Sequence, residues 1–453
     1  TSVGLDVGTT STQMIVSRLR VENRASEFAV PEMVIADREI VYESPVHFTP
    51  LRSETLVDGD ALRELVLAEY RSAGLTRETV DTGAIIVTGE TSRKENARQV
   101  TQALSGLAGD FVVATAGPDL ESELAARGSG AVEYSARTGK TILHMDIGGG
   151  TANLCLIRAG EIAATGCMNS GGRLLKLDGQ GTLTYVSPVL RGLWSLPVGS
   201  RPAQAEIDAL CARLARALEA AAGLTKDDEL LQKLTTAGTR PLPLNAPGED
   251  VAVSFSGGVA DCIGRDFPEN AFGDIGPALG RAIRQSALCR GDYRLGAQTI
   301  RATVIGAGCH TTALSGSTVF CRDVALPLQN LSVVPVSARE QEALSRYLPE
   351  KLRAQENKAI LALPGLAAPG YAQIQALARD ILDAVPAGPL LLCLEEDQAK
   401  ALGQALACRT DRPILCLDRV RLPRGSYLDV GKQAGPAYPV VVKTLVFGKE
   451  AQQ

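Results

Sequence analysis

Three short segments hold most of the residues able to grip a charged ligand. In Gly4-Leu5-Asp6-Val7-Gly8-Thr9-Thr10-Ser11-Thr12 an apolar strand ends in an aspartate and runs into a small, hydroxyl-rich turn. Glycine at position 8 has no Cβ to hold an anion off the backbone amides, and Thr9, Thr10 and Ser11 add hydroxyl donors. Asp6 is placed to hold a water of a Mg²⁺ shell, because magnesium keeps several waters and uses few carboxylates. A hairpin that takes Gly and Thr for backbone reasons alone is the competing explanation.

The second segment, Leu143-His144-Met145-Asp146-Ile147-Gly148-Gly149-Gly150-Thr151-Ala152-Asn153, repeats the plan of strand, aspartate, glycines and threonine. Three adjacent glycines after an apolar strand are hard to justify by packing, since each weakens a strand and adds no side chain. Two such turns facing one another would hold a polyphosphate from both sides, with Asp6 and Asp146 sharing the metal. In the third segment, Val253-Ser254-Phe255-Ser256-Gly257-Gly258-Val259-Ala260-Asp261, the pair Gly257-Gly258 lets backbone lie flat against an adenine or ribose. Lesser candidates are Glu121, to orient an attacking water or else to start a helix favourably, and Glu90, in a Thr-Gly-Glu-Thr turn. His310 reads as a hydrogen-bonding loop residue, with Gly306–Gly308 reversing the chain between strands near 303–305 and 314–320.

The positioning elements follow from periodicity. Strands are expected over 3–7, 14–17, 39–46, 84–87 and 111–114, with helices over 58–73, 93–107 and 118–136. A second block has strands over 141–147, 153–157, 161–165 and 251–255 and helices over 203–222 and 271–286. From about residue 290 strands (303–305, 318–320, 360–363, 390–394, 414–417, 440–447) alternate with helices (338–355, 372–384, 396–407), an α/β unit with a partly parallel sheet. A chain of 453 residues exceeds one ordinary core, and domains over 1–140, 141–290 and 291–453 are expected. The net charge of −5 leaves no electrostatic footprint for nucleic acid. No long apolar run suggests a membrane span, and the chain opens on a strand without a signal-peptide pattern, so a cytoplasmic address is expected. The ten cysteines include no C-x-x-C pair and the three histidines are not grouped, so reduced thiols rather than a zinc or iron–sulfur site are expected.

Asp6-Val7-Gly8-Thr9-Thr10, Asp146-Ile147-Gly148-Gly149-Gly150-Thr151 and Phe255-Ser256-Gly257-Gly258 resemble, in order, the phosphate-one, phosphate-two and adenosine motifs of the actin, DnaK-type chaperone and sugar-kinase superfamily. That resemblance implies a two-lobed actin-like (ribonuclease H-like) core binding ATP and Mg²⁺, with Gly128–Ala131 and Phe272–Gly276 near the helices that connect the lobes. Thr88-Gly89-Glu90-Thr91, Ala116-Gly117-Pro118-Asp119-Leu120-Glu121-Ser122, Val304-Ile305-Gly306-Ala307-Gly308-Cys309-His310-Thr311-Thr312, Leu314-Ser315-Gly316-Ser317-Thr318 and Val442-Lys443-Thr444-Leu445-Val446-Phe447 look like the reactivating factors of ethanolamine ammonia-lyase. This closer resemblance implies an ATP-dependent repair chaperone that lets a damaged cobalamin leave the lyase. Its setting would be bacterial ethanolamine use with microcompartment association, and the cobalamin would be handled by the partner. Gln13 stands where several relatives of the superfamily carry Lys or Arg, so slow hydrolysis is expected. Two rivals share the nucleotide motifs. A small-molecule kinase needs a base, for which Asp81, Asp178 and Asp261 are undistinguished candidates, and a filament-forming actin relative needs none.

Overall fold

The computed structural model describes residues 1–444 except 9–10, 26–32, 54–55, 77–78, 88–103, 105–111, 116–117, 227, 237–238, 240–241, 243–250, 311, 316–317, 354–357, 421, 423–425 and 434–436. Its first sheet is built from β1 (Ser2–Val7), β2 (Ser11–Asn23), β3 (Met33–Glu43), β4 (Thr82–Val87) and β5 (Val112–Thr115), in the order β3-β2-β1-β4-β5, with the short strand His47–Phe48 also pairing β2. Helix α1 (Gly59–Ser72) covers one face. It is capped by Asp58, whose side chain accepts from the Ala61 amide at 3.1 Å, and it buries Leu62, Val66 and Tyr70 against Val3, Leu5 and Val7.

After α2 (Pro118–Gly128) and α3 (Ala131–Thr138) the plan recurs. Strands β6 (Thr141–Ile147), β7 (Ala152–Arg158) and β8 (Glu161–Met168), helix α4 (Gln204–Ala221), β9 (Val251–Ser256), α5 (Gly258–Gly264), α6 (Gly276–Gln285) and β10 (Tyr293–Leu295) give the order β8-β7-β6-β9-β10. In both sheets the first three strands in sequence are antiparallel and the last two add in parallel. Two copies of this ribonuclease H-like order make the core a two-lobed, actin-like α/β fold. Leu143, Met145 and Ile147 face α4 and α6, whereas Ile142 faces the side of α2 and α3. Both faces of β6 are therefore buried, as a central strand's near-continuous apolar run requires.

The next element corrects the sequence reading. Residues 303–305 were expected as a strand and Gly306–Gly308 as a turn, but Ala302–Ile305 is a helix, α7, which widens into a π turn over Gly306–His310. The β-branched run Thr303-Val304-Ile305 favours a strand locally, and tertiary packing overrides it. Val304, Ile305 and Cys309 pack on Ile15 of the first sheet, and Ala307 packs with Ala84, Ile86 and Leu124. Helix α2 crosses α7 at glycines: a Cβ at Gly128 would fall on the Ala302 carbonyl, and one at Gly306 on that of Leu124. These two helices are the connection between lobes. Gly128 lies there as expected, whereas Phe272–Gly276 does not: its Gly273 carbonyl accepts from the Leu177 amide at 2.9 Å, inside the second lobe.

Beyond α7 come β11 (Thr312–Leu314), β12 (Phe320–Arg322), β13 (Leu328–Pro335), α8 (Leu344–Arg353), β14 (Ala359–Leu363), α9 (Tyr371–Ala384), β15 (Leu390–Leu394), α10 (Ala399–Ala407), β16 (Ile414–Asp418), β17 (Ser426–Val430) and β18 (Pro439–Thr444). They form an eight-stranded sheet, β11-β18-β17-β13-β14-β15-β16-β12, in which β13, β14, β15 and β16 are mutually parallel and the strands on either side add antiparallel. The expected helix over 93–107 lies outside the described residues apart from Leu104. No helix among the described residues is long and apolar enough to cross a membrane. Most of the ten free cysteines are buried, and burial pushes the Cys155 and Cys393 thiols up to about 12.

Two predictions follow from packing and burial. Gly306→Ala should cost about 1–3 kcal/mol by overpacking the helix crossing, read as a lower urea midpoint. Gly59→Ala, whose Cβ meets nothing within 4 Å, should show no such loss. At the carboxyl ends of β15 and β16, Thr318 Oγ1 bonds both Asp397 and Asp418. The buried Asp418 carboxyl is raised above its ordinary 3.8, by burial first and with the Asp397 charge adding, against the Thr318 hydrogen bond. The native state thus keeps a proton that the unfolded chain releases, so this group's contribution to stability falls as pH rises out of the ordinary carboxylate range. Asp418→Asn should flatten that slope in urea titrations between about pH 4 and about pH 7.

Candidate functional site

The two glycine hairpins have the same local geometry. The Gly8 amide donates to the Ser11 carbonyl and the Gly148 amide to that of Thr151, each at 2.9 Å. Asp6 lies opposite Gln13 on β2 and beside Ile86 on β4; Asp146 lies opposite Asn153 on β7 and beside Ser256 on β9. The second turn is braced from behind, since the Gly172 and Arg173 amides donate to the Gly148 and Gly149 carbonyls at 3.0 and 2.6 Å. Its own Gly149 and Gly150 amides bond no described residue, which leaves two adjacent donors for an anion.

Alternation along the strands shows where the aspartates face. Gly4, two residues before Asp6, abuts α7, and Ile15, two residues after Gln13, packs on it. On the second sheet Cys155, two residues after Asn153, packs with Ala126 of α2. Both Asp6 and Asp146 therefore face the layer between the sheets where α2 and α7 cross. Asp146 is 7% exposed; it accepts from Ser256 Oγ, and the Thr303 side chain on α7 lies near enough to favour its charged form. Burial pushes its carboxyl up to about 6, against the opposing pull of the Ser256 and Thr303 hydrogen bonds.

Behind Asp146 lies a buried polar chain. His144 Nε2 is 2.9 Å from Ser256 Oγ and its Nδ1 is 2.6 Å from Ser254 Oγ. Burial lowers the His144 pKa to about 3, so the ring is neutral. Ser256 spends its single proton on Asp146, so His144 Nε2–H donates to Ser256 and Nδ1 accepts from Ser254. The sequence quoted Ser256 only within a motif and gave Thr303 no role. Their partner lies on another element in each case, and residue spacing carries no signal for that.

Of the other expected residues, Gly257 adopts φ +84°, donates to the Thr299 carbonyl at 3.0 Å and abuts the Ile147 backbone, so packing within the protein already accounts for it. Gly258 opens α5 and is half-buried, with only the far end of Ile300 near the place of a Cβ. Ser11 and Thr151 are half-buried at the ends of their hairpins. Thr9, Thr10 and Glu90 lie outside the described residues. Glu121 is half-buried in the first turn of α2, where a carboxylate suits the helix dipole. His310 ends the π turn 3.9 Å from Glu133, and burial lowers its pKa to about 4. Among the described residues no three His, Cys, Asp or Glu side chains cluster to hold a metal.

Residues 1–448 match the family described as Ethanolamine utilisation protein EutA. The chain belongs to the EutA family. It is 38% identical to the ethanolamine ammonia-lyase reactivase EutA of Salmonella typhimurium LT2 over 98% of each chain, and 38% identical to that of Escherichia coli K12 over the same shares. Solved structures with similarity to this EutA-family chain include the ethanolamine utilization protein EutJ of Carboxydothermus hydrogenoformans (15% identity, TM-score 0.33, 68% of this chain and 88% of that one). Another is the activator of 2-hydroxyisocaproyl-CoA dehydratase from Clostridium difficile with bound ADPNP (15% identity, TM-score 0.33, 68% and 92%).

Ser256→Ala removes the hydrogen bond that holds the Asp146 carboxyl down. It should cost about 1 kcal/mol of stability and raise the Asp146 pKa further. The loss, read as a lower urea midpoint, is then expected to be larger at pH 8 than near pH 6, because the charged Asp146 is the form that the Ser256 hydrogen bond favours.

Proposed function

We propose that this protein is an ATP-dependent reactivase of ethanolamine ammonia-lyase, promoting release of damaged cobalamin so that intact adenosylcobalamin can rebind. The observation that carries this reading is the similarity, over 98% of both chains, to two proteins that bear that name. The two Asp-Gly hairpins facing one layer support the ATP component. Mg²⁺ suits a site that offers two carboxylates, Asp6 and Asp146, and no third clustered ligand among the described residues, since it keeps much of its water. Bound there, the cation would screen the phosphate charge. Asp6 and Asp146 would hold it, while Gly8, Gly148, Gly149 and Gly150 would let phosphate approach the backbone. Gly258 would lie near the nucleoside.

Because the Thr303 side chain of α7 acts on the charge of Asp146, the nucleotide state would bear directly on the helix that joins the lobes. A ligand shifts a conformational balance only by its differential affinity for the two states. The lyase must therefore contact a surface that changes with lobe closure, and residues 291–453 are the proposed contact. Cobalamin would stay with the lyase, in a cytoplasmic setting associated with the ethanolamine-utilization microcompartment.

Of the aspartates considered as a kinase base, Asp261 accepts from Thr299 Oγ1 at 2.7 Å and Asp178 accepts from the Gln180 and Thr182 amides, so both are occupied structurally. The decisive assay inactivates ethanolamine ammonia-lyase with cyanocobalamin, then adds this protein, Mg²⁺-ATP and adenosylcobalamin and follows ammonia release. Recovery only with ATP is expected; no recovery while ATP still binds would sink the reading. Asp146→Asn should abolish recovery while leaving the thermal midpoint nearly unchanged, since it keeps an acceptor oxygen for Ser256 and removes only a charge that burial already disfavours.

A further inference from the structure

In both hairpins the residue directly across the ladder from the aspartate is a carboxamide: Gln13 faces Asp6, and Asn153 faces Asp146. Directly opposed residues share a face of the sheet, so each lobe presents an aspartate and a carboxamide side by side toward the layer where α7 runs. Gln13 is 3% and Asn153 2% exposed, and in each the amide oxygen has no hydrogen-bond partner among the described residues. An unpaired buried acceptor costs about 1–3 kcal/mol, and folding does not demand it here. The adjacent Thr12, equally buried, finds Thr49 Oγ1 at 3.0 Å, and Ser17 on the Gln13 face finds Cys309 Sγ at 3.0 Å. Two unpaired oxygens at matched positions on two separate sheets point to a ligand that supplies donors to both.

The chemistry of the free end selects that ligand. Gln13 commits its Nε2 to the Ile300 carbonyl at 3.4 Å, which leaves the oxygen as the end available beside Asp6. A phosphate offers only acceptor oxygens and would repel it. The waters of a hydrated divalent cation are donors, and a carboxylate and an amide oxygen can both accept from them.

We propose that Gln13 and Asn153 position the hydrated cation, accepting hydrogen bonds from its waters through their amide oxygens beside Asp6 and Asp146. The assignment rests on the nucleotide reading above and gives Gln13 a role opposite to that of the Lys or Arg in its place elsewhere. It faces metal-bound water, not phosphate. The two lobes thereby contribute matched halves of one cation shell, and the cation holds them together only when both halves are within reach of it.

The test compares the affinity of a fluorescent ATP analogue in Mg²⁺ and in EDTA, for the full chain and for Gln13→Leu and Asn153→Leu. Each substitution should reduce the Mg²⁺-dependent gain in affinity by about tenfold or more and leave the affinity in EDTA unchanged. The thermal midpoint of the ligand-free variants should hold or rise, because an unpaired acceptor has been removed. Gln13→Glu and Asn153→Asp keep an acceptor oxygen and should retain the Mg²⁺ dependence; its loss in both would overturn this assignment. A Mg²⁺ gain unaltered in both leucine variants would overturn this assignment alone. Failure of the unsubstituted protein to bind the analogue in either buffer would overturn the nucleotide reading and this assignment with it.

Discussion

Backbone contact between α2 and α7 is the constraint from which the rest of the core follows. Gly128 lets the Ala302 carbonyl approach, Gly306 does the same for Leu124, and Gly4 brings β1 against Val304 and Gly308. With no side chain at those glycines the elements come to backbone contact there, and whatever faces that layer meets groups from both lobes. Thr303 reaches Asp146 on the second sheet, while the Ile300 carbonyl, three residues earlier, takes the Gln13 amide from the first. Bulkier residues at the crossing would separate these partners and expose carboxyl and amide groups that are now buried.

The duplicated sheets are not chemically equivalent. Asp146 has a buried support of Ser256, His144 and Ser254 behind it. The corresponding neighbour of Asp6 on the parallel strand is Ile86, which packs with Leu124 and Ala307 and offers no hydrogen bond. Asp146 therefore sits in fixed orientation with its charge disfavoured by burial, whereas Asp6 is only partly buried. Such a pairing suits one rigid anchor and one contact that forms as the lobes approach.

The hairpins were legible in the sequence because an aspartate followed by glycines and hydroxyls is a local signal, repeated at residues 6 and 146. The alternating strands and helices beyond residue 359 were legible for the same reason: each strand's apolar run and each helix's spacing is self-contained, and α9 and β15 emerge within a residue or so of expectation. Helix α7 was not. Its Thr-Val-Ile stretch has strand character, and what makes it helical is the demand for small residues at a crossing with an element some 180 residues earlier. The buried polar chain behind Asp146 was hidden in the same way, since it exists only once β6 and β9 lie side by side in register.

Helix α7 and its π turn end at His310, and Thr312 already belongs to β11, the edge strand of the eight-stranded sheet. That strand is laddered to β18, whose Val441 rests on Leu120 of α2. The connection is a short strut, with Thr311 alone between the two elements in sequence: one end lies beside the carboxylate in the cleft, and the other is stitched into the C-terminal sheet. A sliding or tilting of this strut cannot be absorbed by a loop along the way, so the C-terminal sheet must ride with the cleft as a lever rides on its axle.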